Sequence, residues 1–393
     1  MRNERGIALV ITLLVVALLT IIVVEFTYSA EVDAHMARNA LNALQASMLA
    51  RSGVNLGEAF LLHDDDPQVD SYLEDWGNMD LLNSQLILPD NMRLRVQIVD
   101  EGGKLNINLT RPRRVQDWLA AQRADAANNP QATQLFQAWT TALGNLLAGR
   151  GASPDVADAV AQYWSQLFQI AFPGVLAGQA GPGGNPNQGQ AAVGTPTPGG
   201  LPNNPFFWDF PSLDDASVIP GLTPGVIRRS RAVLTALDAN RQVQVNANTA
   251  PPEVLGAIIP DAGVVDNIVS QRQEQPLRLS DLQQLIRGGG SNPQDPAARW
   301  VPSMLGVRSA FFLIRASAIV NPNPITGKGG ISRSASMLVR RDPRAGVPQD
   351  APAGVPRWTL TQLDWQKEGG AGLFQPTPGA DDLPDGGFPG MGG

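Results

Sequence analysis

The sequence predicts an α+β fold, in which a long N-terminal α-helix packs on a small antiparallel sheet and a large all-α domain is inserted between strands of that sheet. Three observations support this prediction. The N-terminal part contains an apolar run that continues into a pattern of helical period. Strand-like alternation occurs near residue 95 and returns after residue 305. Most of the sequence between these two regions has helical patterns.

The N-terminal apolar run predicts a membrane-spanning helix. Ile7–Val24 contain no formal charge, and as a helix they would span about 27 Å, close to the hydrocarbon thickness of a bilayer. Arg2 and Arg5 precede the run, and Glu25 and Asp33 follow it. This charge distribution predicts a cytoplasmic N-terminus and an exported C-terminal bulk.

The helix is expected to continue beyond the bilayer, because apolar residues keep a spacing of about 3.6 and no proline intervenes until Pro67. One helix of up to about 55 residues would then pack its second half on the sheet, although two separate helices are the alternative. The residues expected on the packed face are Leu41, Leu44, Met48, Leu49, Phe60 and Leu61.

Five strands are predicted. Alternation of polar and apolar residues makes Met92–Val99 a half-buried strand, followed by a turn and by a second strand at Lys104–Asn108 that completes a hairpin. Val307–Val320 and Ile331–Arg340 form a later hairpin. Trp358–Trp365 adds an edge strand.

The intervening sequence predicts an all-α domain. Arg113–Phe172 have a helical pattern, and 173–205 hold nine Gly and seven Pro, which is typical of a flexible linker. Leu213–Leu237 and Pro251–Ile286 each suggest a pair of short helices, and these weakly related repeats resemble helix-hairpin-helix units. Core positions expected in the first stretch are Trp118, Leu119, Phe136, Trp139, Leu143, Leu146 and Leu147.

Composition excludes several kinds of chemistry. The chain has no cysteine and two histidines, which excludes disulfides and cysteine-ligated zinc. No nucleophile elbow, zinc-protease motif or phosphate-binding loop is present, so the protein is not expected to be an enzyme. His63 and the acidic run Asp64–Asp66 are interpreted as a solvated turn that ends the long helix.

Binding of nucleic acid is a secondary hypothesis, which the formal charge of −7 does not favour. Helix-hairpin-helix units present turn amides to a phosphate, but Asp261 would repel a phosphate at the second turn. The best basic cluster lies beside the first turn and consists of Arg228, Arg229 and Arg231.

Several local motifs, in this order, resemble a known family. Arg5-Gly6-Ile7 before an apolar helix is similar to the leader of type IV pilin and pseudopilin precursors, although a plain signal anchor or a signal peptide cut near Ala30 would also fit. Together with Gly102–Asn108, Val245–Leu255 and the helical insertion, this leader resembles the K-type minor pseudopilins (GspK family) of type II secretion systems.

The resemblance implies a pilin-like fold and specific processing. A prepilin peptidase would cut between Gly6 and Ile7, and N-methylation of Ile7 is an open expectation. Most pilin-like subunits carry a glutamate where this chain has Ile11. In the family, that carboxylate is thought to meet the N-terminal ammonium of a neighbouring subunit. An apolar residue there suits a subunit at the filament tip, which has no neighbour above it.

The resemblance also raises the question of calcium, because some K-type relatives bind it. The insertion lacks the acidic stretch expected near Tyr163–Gln166, so no cofactor is assigned. The substitute calcium candidates are Asp209, Asp214 and Asp215.

The resemblance implies a minor pseudopilin in the bacterial inner membrane, with its C-terminal bulk in the periplasm, that helps initiate the pseudopilus for protein export. Its implied partners are the I-type and J-type minor pseudopilins, other pseudopilins and the prepilin peptidase. Rival functions are a membrane-anchored DNA receptor and a type IV pilus minor pilin. The expected division is a leader 1–6, a transmembrane segment 7–24, a pilin-like domain in two parts 25–110 and 305–368, an inserted domain 111–304 and a disordered tail 369–393.

Overall fold

The N-terminal sequence forms one continuous helix, α1, from Glu4 to Leu62. The single long helix is therefore confirmed, and the alternative of two helices is wrong. Within the apolar part, the hydroxyls of Thr12, Thr20 and Thr27 donate hydrogen bonds to carbonyls three or four residues earlier. These bonds satisfy polar groups that lipid could not.

The structure is a computed structural model. It describes residues 4–64, 66, 68–78, 83–84, 86–111, 130–171, 209–289, 299–322, 330–344 and 358–368. The predicted linker 173–205, the tail 369–393 and the expected core residues Trp118 and Leu119 lie outside these ranges.

A four-stranded antiparallel sheet lies against the second half of α1. Its strands are β1 (Met92–Asp100), β6 (Phe311–Val320), β7 (Ile331–Pro343) and β8 (Trp358–Glu368), in the order β1-β6-β7-β8. The predicted strand near residue 95, the later hairpin and the edge strand are confirmed. With the long helix, they establish the α+β, pilin-like fold that the sequence predicted.

The packed face of α1 is predicted in part: Leu61 is buried there, and Leu49 and Phe60 pack against the same core, but the other three expected residues do not. Leu41, Leu44 and Met48 point away from the sheet and are exposed. The sheet lies so close to the helix that a Cβ atom on Gly53 would be 2.8 Å from the Cβ of Ala316. Most positions on this face therefore have small side chains. The face consists of Ala46, Ala50, Gly53, Val54, Gly57 and Leu61.

The segment after β1 does not complete a hairpin. Asp100 caps a short 3₁₀ turn, and the two residues of β2 (Leu105–Asn106) pair in parallel with β3 (Leu234–Thr235). The prediction of a strand at Lys104–Asn108 paired with β1 is therefore wrong. The side chains of Asn106 and Asn108 bond to the backbone of Leu237 and Phe210 instead, because this segment belongs to the helical core.

The inserted sequence has its own apolar core, which contains the expected Trp139, Leu143, Leu146 and Leu147. A second pair of parallel two-residue strands, β4 and β5, lies beside it. In the second predicted helix pair the structure has three helices. The elements are α2 (Pro130–Ala148), α3 (Val156–Ala171), α4 (Pro224–Ser230), β4 (Val245–Asn246), α5 (Pro252–Ile258), α6 (Ala262–Glu274), α7 (Leu279–Gly288), α8 (Val301–Met304) and β5 (Leu305–Gly306).

One side chain covers part of the outer edge of β1. The amide of Asn83 accepts a hydrogen bond from the backbone N–H of Val96 at 3.0 Å and donates one to its carbonyl at 3.3 Å. The side chain thus takes the place that a neighbouring strand would occupy at this residue.

Candidate functional site

The first candidate site is the exposed apolar surface of α1. Over the anchor every described large apolar side chain is exposed, including Ile11, which is 56% exposed. The helix is long and apolar enough to cross a membrane. Gly6 and Ile7 lie in the first turns of the helical backbone. Cleavage between them, and methylation of Ile7, stay predictions.

The apolar surface continues beyond the predicted anchor along the side of α1 opposite the sheet. Its residues are spaced alternately by four and three, the spacing that brings one edge of a helix against another helix in a coiled coil. The spacing ends at Arg51. We call this surface the apolar seam; it consists of Ala30, Ala34, Ala37, Leu41, Leu44 and Met48, all exposed.

The second candidate site is a buried junction where α1, the sheet and the inserted domain meet. Arg341 of β7 forms ion pairs with Asp64, at 2.5 Å, and with Asp70, and all three side chains are at most 2% exposed. The guanidinium also stacks on Phe312 and Trp358. The prediction that Asp64 belongs to a solvated turn is wrong, because the chain folds back and buries this carboxylate against β7.

Asp100, at the end of β1, is the polar centre of the junction. One oxygen of its carboxylate accepts hydrogen bonds from Asn246 at 2.9 Å, from Thr249 at 2.5 Å and from Ser309 at 2.6 Å. The other accepts the N–H of Gly102 at 2.7 Å. This one side chain therefore joins the sheet to β4 and the segment after it in the inserted domain, and to the loop that leads into β6.

The two glycines after Asp100 have no room for a side chain. A Cβ on Gly102 would lie 2.5 Å from the hydroxyl of Ser309, and one on Gly103 would lie 2.6 Å from the hydroxyl of Thr249. The Gly-Gly pair in the sequence is therefore the one local signal that could have indicated a crowded junction here.

Burial changes the acidity of the junction. It raises the pKa of Glu74 from 4.5 to about 8, with the nearby Asp64 and Asp70 adding to the shift. Burial likewise raises the pKa of Asp64 and of Asp100 to about 6. The charge of Arg341 opposes the rise in the pKa of Asp64. Hydrogen bonds from the hydroxyls of Ser309 and Thr249 oppose the rise in the pKa of Asp100.

The three calcium candidates do not come together. Asp209 pairs with Arg111, Asp214 pairs with Arg231, and Asp215 caps the turn at Ser212. Among the residues that the structure describes, the acids whose oxygens lie within 4.8 Å of one another are Asp64, Asp70 and Glu74. There Arg341 already supplies a positive charge.

The turns of the helix-hairpin-helix units are also occupied. Asp261 accepts hydrogen bonds from the N–H groups of Gly263 and Val264 at 2.8 and 3.4 Å, so its carboxylate already occupies the amides that would bind a phosphate. In the basic cluster, Arg231 forms a bidentate bond to Asp214, and Arg229 donates to the carbonyl of Arg150. Arg228 is exposed.

Comparison with known structures finds a similar fold. The structure is similar to a chain in the crystal structure of the GspK-GspI-GspJ complex from the type 2 secretion system of enterotoxigenic Escherichia coli, with a TM-score of 0.51 and 16% sequence identity. The similarity covers 85% of this chain and 100% of the other. Neither a protein-family model nor a curated protein sequence matches the chain. At this identity the similarity establishes a shared, pseudopilin-like fold.

Proposed function

We propose that the protein is a minor pseudopilin of a type II secretion system, which is anchored in the inner membrane and takes part in assembly of the pseudopilus. The observation that carries this proposal is the exposed apolar surface of α1, which runs from the anchor into the apolar seam. A surface of this kind on a pseudopilin-like fold suits lateral packing against other helices. The role is structural, since assembly needs no catalytic group.

The absence of a carboxylate at Ile11 supports a place at the tip of the pseudopilus. A charged glutamate at membrane depth costs several kcal/mol unless a cation pairs with it. A subunit with another copy above it would gain from such a pair, whereas a tip subunit would not. The inserted domain, bulky and attached beside the sheet, would cap the assembly and face the periplasm.

Exchange of the residue at this position tests the tip proposal. In a host that lacks the natural copy, we expect Ile11→Glu to reduce pseudopilus formation and protein export, because its carboxylate has no ammonium to meet. Ile11→Gln is the matched control, since it is polar and of similar size but uncharged, and it should be less harmful. Equal export by Ile11→Glu and the wild type would overturn the tip assignment.

We propose that the apolar seam binds the helices of I-type and J-type minor pseudopilins. Because the chain has no cysteine, single-cysteine variants report single positions. Leu44→Cys should crosslink to cysteine-bearing partner helices, whereas Asn39→Cys, on the sheet-facing side of α1, should not. Crosslinks to type IV pilus subunits would favour the pilus alternative, and equal crosslinking at both positions would contradict the seam.

Processing at the leader is tested separately. We expect N-terminal sequencing of the mature protein to begin at Ile7, and Gly6→Ala to leave the precursor uncut. A mature chain that began near Glu31 would show removal of the anchor and would overturn the proposed function.

A further inference from the structure

The buried junction contains more acids than cations. Asp64, Asp70 and Glu74 have oxygens within 4.8 Å of one another, and Arg341 is the ion-pair partner of the first two. With all four groups ionised, three negative charges would face one positive charge at a site where Asp64, Asp70 and Arg341 are buried and Glu74 is half-buried. A buried net charge is strongly disfavoured, and binding a proton removes part of it.

Within the described part of the chain, Glu74 is the acid of these three whose hydrogen bonds come from neutral donors. Its Oε2 atom accepts hydrogen bonds from the backbone N–H of Ser71 at 2.9 Å and from the indole N–H of Trp76 at 2.8 Å. Both donors are neutral. The burial that raises the pKa of Glu74 agrees with this assignment.

The acid next to Glu74 also contacts the inserted domain and the loop that leads from it into β6. The backbone N–H of Asp70 donates to the carbonyl of Val307 at 2.8 Å. Its carboxylate accepts a hydrogen bond from the N–H of Ser309 at 2.7 Å, and its backbone carbonyl accepts one from the side-chain amide of Asn246 at 2.9 Å. A charge on Glu74 therefore repels a residue that fixes three contacts across the junction.

The charged groups around Glu74 come from each element packed there. Asp64 lies at the end of α1, Asp70 in the same loop as Glu74, and Arg341 on β7. The charge of Asp70 in turn adds to the raised pKa of Asp100 on β1. At the more exposed side, Asp66 and Arg278, the residue before α7, form a pair at 4.0 Å.

We propose that this junction is a proton-coupled joint, in which closure of the inserted domain onto the α1–sheet unit traps one proton on Glu74. The joint is then held more firmly as the pH falls, and it loosens as the pH rises through neutrality. The sign follows from linkage, since a closed state that binds an extra proton is favoured by acid.

Fluorine NMR of the full-length chain in detergent micelles tests the first step. The chain has eight tryptophans; 5-fluorotryptophan labelling with Trp76→Phe for assignment identifies the Trp76 resonance. We expect this resonance to titrate with a midpoint near 8, to become flat in Glu74→Gln, and to be unchanged in Glu274→Gln, an exposed control glutamate. A midpoint below about 6 would overturn the proposal.

Hydrogen exchange tests the coupling. After correction for intrinsic exchange rates, the equilibrium constant for opening at the amides of Asp70 and Ser309 should rise by up to about tenfold per pH unit between 6.5 and 8. Above that pH it should level off. Glu74→Gln should stay closed throughout and match the wild type only at acidic pH. An equal pH slope in the two proteins would refute the coupling. If Glu74→Gln does not fold, the wild type alone provides the test. A midpoint of the pH dependence of exchange that differs from the midpoint of the Trp76 resonance would then refute the coupling.

Discussion

The contact between α1 and the sheet makes a quantitative prediction at Gly53. Replacement by alanine would place a Cβ 2.8 Å from Ala316 Cβ and 2.9 Å from Leu94 Cδ1. Ordinary carbon contacts are about 3.5–4.0 Å, so the helix must withdraw by about 1 Å, because Ala316 Cβ cannot rotate away from it. Overpacking of this kind destabilises the fold by about 1–3 kcal/mol. Replacing a glycine in the middle of a helix by alanine stabilises the helix by about 1 kcal/mol. We expect Gly53→Ala to lower the free energy of unfolding by about 1 kcal/mol.

A matched control separates packing from helix propensity. Gly256 lies within α5, is exposed, and would place its Cβ against nothing within 4 Å. Gly256→Ala should therefore stabilise the protein by about 0.5–1 kcal/mol. Denaturant unfolding of the full chain in micelles, followed by circular dichroism, measures both variants. Stabilisation of equal size in both would refute the close approach of helix and sheet.

Two further predictions concern the junction and the inserted domain. Arg341→Met leaves Asp64 and Asp70 buried without their cation and should cost about 3–5 kcal/mol at pH 7. The cost should shrink towards pH 5, since the pKa of Asp64 is already raised by burial and its protonation removes one of the two unpaired charges; a loss that did not change with pH in denaturant titrations would contradict this. Asp261→Ala removes the cap of α6 and should cost about 1 kcal/mol in thermal unfolding. Unchanged thermal stability of this variant would contradict the assigned role of the cap. A gel shift of the wild-type protein at low salt should show no DNA binding, because Asp261 occupies the turn amides; a clear shift would favour the DNA-receptor alternative.

The anchor and the strands of the sheet could be predicted because their signals are local. An uncharged run of eighteen residues needs no partner to be recognised, and alternation along β1 reports one buried face. The packed face of α1 could not be predicted in this way. Hydrophobicity favours Leu44 and Met48 for burial, but the close sheet admits glycine and alanine instead. The larger residues are left for the apolar seam.

The junction could not be predicted because its members are distant in sequence. Arg341 and Asp64 are 277 positions apart, and neither lies in a pattern that indicates a partner. The motif around Asn246 was informative as a family resemblance, although its physical role as a donor to Asp100 and Asp70 emerges only in the fold. The turn after β1 was mispredicted for a related reason. Asp100 stands where a hairpin turn would begin, but its carboxylate bonds to Asn246, Thr249 and Ser309, which are distant in sequence.

The side-chain amide of Asn83 has a consequence for how copies of this protein can meet. By bonding to both backbone groups of Val96, it blocks strand addition at that point of β1, where a free edge would invite another chain to extend the sheet. Copies of this chain are thus kept from adding a strand at this point of β1. In the proposed assembly, growth is left to contacts between helices, whose geometry a sheet extension would disturb.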